Sequence, residues 1–212
     1  MDLNKIVKKL STSAGSIVDL SDIWRLVDDA YPDVDAAVKT RTYRYSSRLR
    51  DLGVLTPLKN GLFVVGEVNG PIDLFVDDHY WNLAKKVIKR TCSWQYMIVG
   101  AKSLELHSRN HEPPETLLVL TPRVNRVVTL SRGRTIVFQS VHEAAPKWAF
   151  HTCYSFSETL TIEGIWFRVC SREQALLETL TKRKGSQEVD VYLVERFLWR
   201  YAKYLRDSVV YD

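Results

Sequence analysis

Apolar and polar positions run through this chain with two periods, and the switch between the periods predicts its elements. Leu3, Ile6, Val7 and Leu10 recur at i, i+3, i+4 and i+7, with Lys5, Lys8 and Lys9 beside them. That spacing predicts a short first helix ending near residues 11–15. Ile23, Leu26, Val27 and Ala30 form the stripe of a second helix with Trp24 at its edge. Asp19 or Ser21 can cap it by accepting a backbone N–H, and Pro32 ends it. In a third helix Val38, Thr42, Tyr45, Leu49 and Leu52 form one buried stripe. At about 100° per residue, Thr40, Tyr43, Arg44, Ser47 and Arg50 fall on or near the opposite face. Between Asp35 and Asp51 that face carries no carboxylate. Gly53 can take the positive φ that stops the helix. Residues 54–58 and 62–65 are apolar runs around Lys59-Asn60-Gly61, a strong short hairpin signal.

Helix, turn, helix and hairpin in that order predict an N-terminal winged helix-turn-helix over residues 1–70. In that reading Thr40, Tyr43, Arg44, Ser47 and Arg50 enter the major groove of double-stranded DNA. Lys39 and Lys59 hold phosphates, and Asn60 stands with Lys59 at the wing tip. A solvated helix face followed by an unrelated hairpin would give a similar pattern.

The turn residues Asn69-Gly70-Pro71 mark the boundary to a second domain, residues 71–212. Asp77 or Asp78 is expected to begin a helix burying Trp81, Ala84, Val87 and Ile88, with Lys85, Lys86, Lys89 and Arg90 outward. Strands are expected at 93–99, 116–120, 127–130, 135–141, 159–162 and 165–170, and a short helix at 101–107. Residues 142–148 and 182–188 read as irregular. Ser171-Arg172-Glu173-Gln174 has the form of a capping box opening a helix that carries Ala175, Leu176, Leu177 and Leu180 as its apolar residues, and the last helix spans 189 to about 206. Helices and strands in this order give an α+β chain with a mixed α/β second domain.

Composition narrows the function classes. The 212 residues carry a formal net charge of +5 and are 45% hydrophobic, which suits a globular core and permits a polyanionic partner. No long apolar segment predicts a membrane span, and no N-terminal apolar run predicts secretion. Cys92, Cys153 and Cys170 are odd in number and unpatterned, as expected of thiols in a reducing cytoplasm.

The second domain resembles the AbiEi family, the antitoxins of type IV toxin–antitoxin systems. The resemblance lies in IVGAKSLELH at residues 98–107, in the proline loop and strand ETLLVLTPR at 115–123, and in IWFRVCSREQALLETL at 165–180. Together with the N-terminal module it covers most of the chain. The chain departs from the pattern at Ser108, where a glycine is usual, at Lys102, where a small residue is usual, and in a longer N-terminal module. The resemblance implies a protein whose winged helix binds inverted repeats in its own promoter and represses it. Such operators are compatible with a homodimer on DNA. It implies that the C-terminal domain neutralises a nucleotidyltransferase-fold toxin, leaving open whether the toxin is bound directly. It implies a protein that is not itself an enzyme of the nucleotidyltransferase kind.

Other chemistry is thinly supported. His107 and His111 are four apart with Glu112 next, a spacing that could hold zinc on one helix, but Asn110 and Pro113-Pro114 end the helix and no third ligand follows. No P-loop or G-x-S-x-G occurs. The expectation is therefore no catalytic residue, metal or cofactor. Arg123, Arg126, Arg132 and Arg134 gather around one hairpin, and with Lys85, Lys86 and Lys89 form a second candidate basic patch. A charged solvated rim explains that patch equally well. Two further readings stay open: a winged-helix transcription factor with a ligand-sensing second domain, and a nuclease that docks through the winged helix.

Overall fold

The first element shows how the sequence builds this fold. In α1 (Leu3–Ser11) the apolar stripe turns inward, burying Ile6 and Leu10, while the lysines stay in water. The computed structural model describes residues 3–30, 38–58, 61–141, 153–180 and 190–205. It divides into two units, Met1–His79 with Leu130–Arg132, and Tyr80–Thr129 with Gly133–Asp212.

In the first unit α1 leads to β1 (Ile17–Asp19), α2 (Leu20–Ala30), α3 (Val38–Asp51), β2 (Leu55–Pro57), β3 (Leu62–Val65) and α4 (Ile72–Asp78). The three strands form an antiparallel sheet in the order β1-β3-β2. Strand β1 is absent from the sequence expectation. Three residues are too few to show a period, and the pairing of Ile17 with Val64 is non-local. Asp19 caps α2 through Oδ1, which accepts from Ser21 N and Asp22 N (2.8 and 2.9 Å). The Asp22 carboxylate returns the favour at Asp19 N (3.0 Å), the reciprocal bonding of a capping box. Ile6, Leu10, Ile23, Val27, Tyr45, Leu49, Leu55, Phe63 and Val65 close one core. Burial of each large aliphatic side chain there contributes about 1.5–3 kcal/mol.

The stripe of α3 holds at Thr42, Tyr45 and Leu49 but not at Leu52, which is 59% exposed. Gly53 N bonds Arg50 O and Val54 N bonds Leu49 O, with Gly53 at φ +70°. This Schellman pairing turns the chain and carries Leu52 off the stripe. Ser46 is buried instead, its hydroxyl donating to Tyr43 O (2.9 Å).

In the second unit α5 (Tyr80–Cys92), β4 (Met97–Ile98), α6 (Ala101–His107), β5 (Thr116–Thr121), β6 (Arg126–Ser131) and β7 (Arg134–Ser140) come first. β8 (Glu158–Ile162), β9 (Ile165–Val169), α7 (Arg172–Leu180) and α8 (Val191–Tyr201) follow. The six strands form one sheet in the order β6-β7-β5-β4-β9-β8. It is mixed: β5–β7 and β4–β9 run parallel, β4–β5 and β8–β9 antiparallel. The chain is thus α+β with a mixed sheet. Trp81 meets Phe167 edge-on at 5.3 Å where α5 packs on β9. Met97, Val99, Leu104, Leu120, Cys170, Ala175, Val194 and Phe197 form a second core with α6, α7 and α8.

Three expectations need correction here. The helix expected from Asp77 or Asp78 starts at Tyr80. Both aspartates belong to α4, which ends where the His79 ring stacks on Phe75 at 4.1 Å. The strand expected over 93–99 shrinks to Met97–Ile98, since Ser93 takes φ 57° and breaks the extended run. In α7 the inward face is Glu173, Ala175, Glu178 and Thr179, with Leu177 and Leu180 exposed. Residues 142–148 and 182–188 lie outside the described residues.

Candidate nucleic-acid interface

The outward face of α3 is set by what its inward face must bury. Thr42, Tyr45, Ser46 and Leu49 are taken by the core, so Tyr43, Arg44, Arg48 and Arg50 emerge into solvent with Ser47 half-buried between them. Tyr43 is 63% exposed. Arg50 Nη2 donates to Ser47 Oγ at 3.3 Å, which holds one guanidinium along the face. Lys39 and Thr40 lie in the first turn of the same helix, and their side chains are outside the described residues. Lys59 and Asn60 are also outside the described residues, between β2 and β3. The strands on either side pair as a hairpin, Pro57 opposite Phe63, with Leu58 N bonded to Leu62 O (2.8 Å).

Two residues of this surface were missed from sequence. Arg48 stands one helical turn from Arg44, a spacing that could have found it. Trp24 of α2 is 41% exposed and, with Leu20, Ser21, Thr42 and Tyr43, lines an open groove of about 490 Å³ beside the basic face. Its apolar character had placed it at the edge of the core.

The residues of the second basic patch differ in their surroundings. Lys85 bends inward: its ammonium lies 5.3 Å from the Tyr96 ring centre and 5.1 Å from that of Phe167. It donates to Tyr96 Oη (2.8 Å) and to the Trp166 carbonyl. Strand β4 is too short to pair the start of β9, and Lys85 and Tyr96 complete that ladder. Burial, with Lys89 next in weight, lowers the Lys85 pKa, and burial pushes the Tyr96 phenol up to about 12. Lys86 is half-buried, whereas Lys89 is exposed with its ammonium 5.3 Å from the Trp94 ring. Arg123 and Arg126 are exposed. Arg134 donates to Pro113 O (2.9 Å). In the first unit, the Arg132 backbone N–H meets an Asp73 carboxylate oxygen at 3.4 Å.

The residues 98–107 build an internal network. Gly100 adopts φ 74°, ψ −164°, a region open essentially to glycine alone. Its N–H donates to the buried Glu178 carboxylate (3.0 Å), which also accepts from Gln174 Nε2 (3.1 Å). Gln174 therefore spends its amide on Glu178, while its backbone N–H takes the serine half of the capping box from Ser171 Oγ (3.2 Å). Cys170 Sγ donates to Ser103 Oγ (3.2 Å), which donates to Gly100 O (2.5 Å). His107 Nε2 donates to Cys170 O (2.8 Å). Burial lowers the His107 pKa, and burial raises the Cys170 thiol well above its ordinary range. The buried stem of Lys102 reaches Glu105 at 2.5 Å. His111 lends its carbonyl to Trp81 Nε1 (2.7 Å). Among the described residues no three His, Cys, Asp or Glu side chains gather to hold a metal ion. No described helix is long and apolar enough to cross a membrane.

No family model matches the sequence, and no curated protein matches it significantly.

Proposed function

We propose that this protein is a DNA-binding antitoxin. Its N-terminal unit acts as a winged helix that binds operator DNA and represses its own operon. Its C-terminal unit neutralises a nucleotidyltransferase-type toxin and performs no catalysis itself. One observation carries the DNA half: the outward face of α3 offers Tyr43, Arg44, Ser47, Arg48 and Arg50 together, with no acidic side chain among them. The order of elements supports the same reading. β1 joins the β2–β3 hairpin in one sheet and α3 runs straight into it, as a helix lying in a major groove beside a wing requires. The antitoxin half rests on the resemblance of residues 98–123 and 165–180 to AbiEi proteins. Lys39, Thr40, Lys59 and Asn60 complete the proposed footprint.

In this reading Arg44 contacts a base edge, and Arg48, one turn along, helps hold the backbone. Arg44→Ala should weaken operator binding about 5- to 150-fold, the equivalent of about 1–3 kcal/mol, and relax sequence preference. Lys59→Ala should weaken all duplexes alike and lower the salt slope by about one unit. Gel shifts on the promoter region upstream of the gene measure both. Unchanged binding by both variants would sink the winged-helix assignment.

A further inference from the structure

The second unit carries a surface that the DNA reading does not use. Trp94, after α5, is 61% exposed, and Trp166, on β9, is 68% exposed. Large aromatic rings are costly to leave in water, and these two stand among cations. The Lys89 and Lys85 ammonium groups lie 5.3 and 5.6 Å from the Trp94 ring centre. Phe167 is fully buried, so strand alternation places Trp166 and Arg168 together on the other face of β9. The Arg168 guanidinium stacks over Tyr154 at 4.7 Å and donates to its hydroxyl (3.4 Å). That hydroxyl donates to Trp94 O (3.3 Å), linking the two halves. Across the β8–β9 hairpin, exposed Thr161 and Thr159 stand opposite Trp166 and Arg168. Among the described residues no carboxylate pairs with Lys89 or Arg168, and Glu163 lies beyond the strands at the hairpin turn.

Exposed rings, stacked cations and hydroxyls are the parts of a platform for unpaired bases. The rings stack on bases, Lys89 and Arg168 meet phosphates, and the hydroxyls can bond sugars. Duplex DNA hides its bases inside the stack and cannot use such rings. Unpaired bases beside 2′-hydroxyls are the regular feature of RNA loops. We propose that the face formed by Trp94, Trp166, Arg168, Lys89 and Tyr154 binds single-stranded RNA, separately from the α3 face.

The test uses the full chain and dye-labelled 12-nucleotide oligo(A) and oligo(U) RNA, read by fluorescence anisotropy at low salt. The DNA oligomers of the same length and a duplex serve as comparisons. Trp94→Ala and Trp166→Ala should each weaken RNA binding about tenfold, and Trp166→Phe should keep most of it, since a phenyl ring still stacks. Trp199→Ala should change nothing: Trp199 is 93% exposed but lies on α8 away from these contacts. Circular dichroism separates lost binding from lost fold, and Lys89→Ala provides a second surface variant whose removal touches no core. Arg44→Ala should leave RNA binding intact while reducing duplex binding, so the two surfaces fail independently. The proposal is overturned if folded Trp94→Ala and Trp166→Ala bind RNA like the parent, if Trp199→Ala loses as much, or if single-stranded DNA binds as tightly as RNA. Self-association through the exposed tryptophans, seen as a concentration-dependent mass that these substitutions abolish without any effect on RNA binding, would equally overturn it.

Discussion

A single glycine shows how closely the second unit depends on individual residues. The space around Gly100 would admit a Cβ, with Leu118 Cδ2 no nearer than 3.6 Å, but its φ of +74° would not. Gly100→Ala should therefore cost about 1–3 kcal/mol through backbone strain alone. Glu178→Ala should cost a similar amount, because it leaves the buried Gly100 N–H without its acceptor. Glu178→Gln keeps an acceptor oxygen and should cost less. Chemical denaturation ranks the three, and an equal loss for Gln and Ala would count against the hydrogen bond as the cause. His107 makes a pH prediction. Burial holds its folded pKa below the ordinary 6.5, so the folded protein binds fewer protons than the unfolded chain as pH falls. Its contribution to stability is complete above about 6.5 and declines as pH drops through 6.5 toward the folded value. His107→Gln, whose amide can still reach Cys170 O, should flatten the fall in Tm between pH 7.5 and 5. A slope as steep as the parent's would assign the titration to another group. Tyr80 behaves in the opposite way. Its hydroxyl is buried with no hydrogen-bond partner among the described residues, so Tyr80→Phe should be neutral or stabilising by up to about 1 kcal/mol.

At the scale of elements, legibility followed locality. The stripes of α1, α2 and α5 were readable because apolar residues at helical spacing decide which face turns inward, and Ile6, Ile23, Trp81 and Ala84 are buried as the spacing requires. The Asn-Gly hairpin and the β8–β9 hairpin were readable because adjacent strands meet through a short turn. The misses have non-local causes. Strand β1 exists only because β3 returns to meet it. Helix α7 buries Glu173 and Glu178, and the Glu178 carboxylate accepts the backbone N–H of Gly100 at the start of α6, a partner that no apolar period can reveal. Lys85 read as an outward cation, yet the late start of β4 leaves backbone groups at the start of β9 that draw its ammonium inward. The α3 face was largely legible, since it is what remains when the core has taken its stripe. Its framing can be tested by the helix ends. Gly53→Ala should lower stability by about 1 kcal/mol, because alanine resists the left-handed conformation of the Schellman turn. Asp19→Ala should cost about 1 kcal/mol by removing the α2 cap, with Asp19→Asn nearly silent. Urea midpoints at constant m-value would read both effects.

For the whole molecule, the question is whether each unit works without the other. Among the described residues the first core runs from Ile6 to Val65. The second runs from Met97 to Phe197, with Leu205 packed at its margin. Each can therefore bury its own apolar surface, and separate fragments of residues 1–79 and 80–212 should fold cooperatively. Ile72–Asp78 groups with the first unit, so the cut belongs after His79. Fragment 1–79 holds the entire α3 face and should bind promoter DNA, more weakly than the whole chain if the second unit supplies dimer or phosphate contacts. Fragment 80–212 holds both stretches that resemble AbiEi proteins and should restore growth to cells expressing the cognate nucleotidyltransferase-type toxin, without repressing the promoter. The two activities are then separable, and the assay divides the proposal cleanly. Rescue by 80–212 and by the whole chain, with repression only by chains carrying α3, supports an antitoxin that regulates itself. Rescue by 1–79 alone would place the protective action at the promoter. If neither 80–212 nor the whole chain rescues growth while 1–79 still binds the promoter, the antitoxin half falls and a ligand-sensing regulator replaces it. The basic face of α3 would then keep its role on DNA, and the second unit would need a ligand of its own.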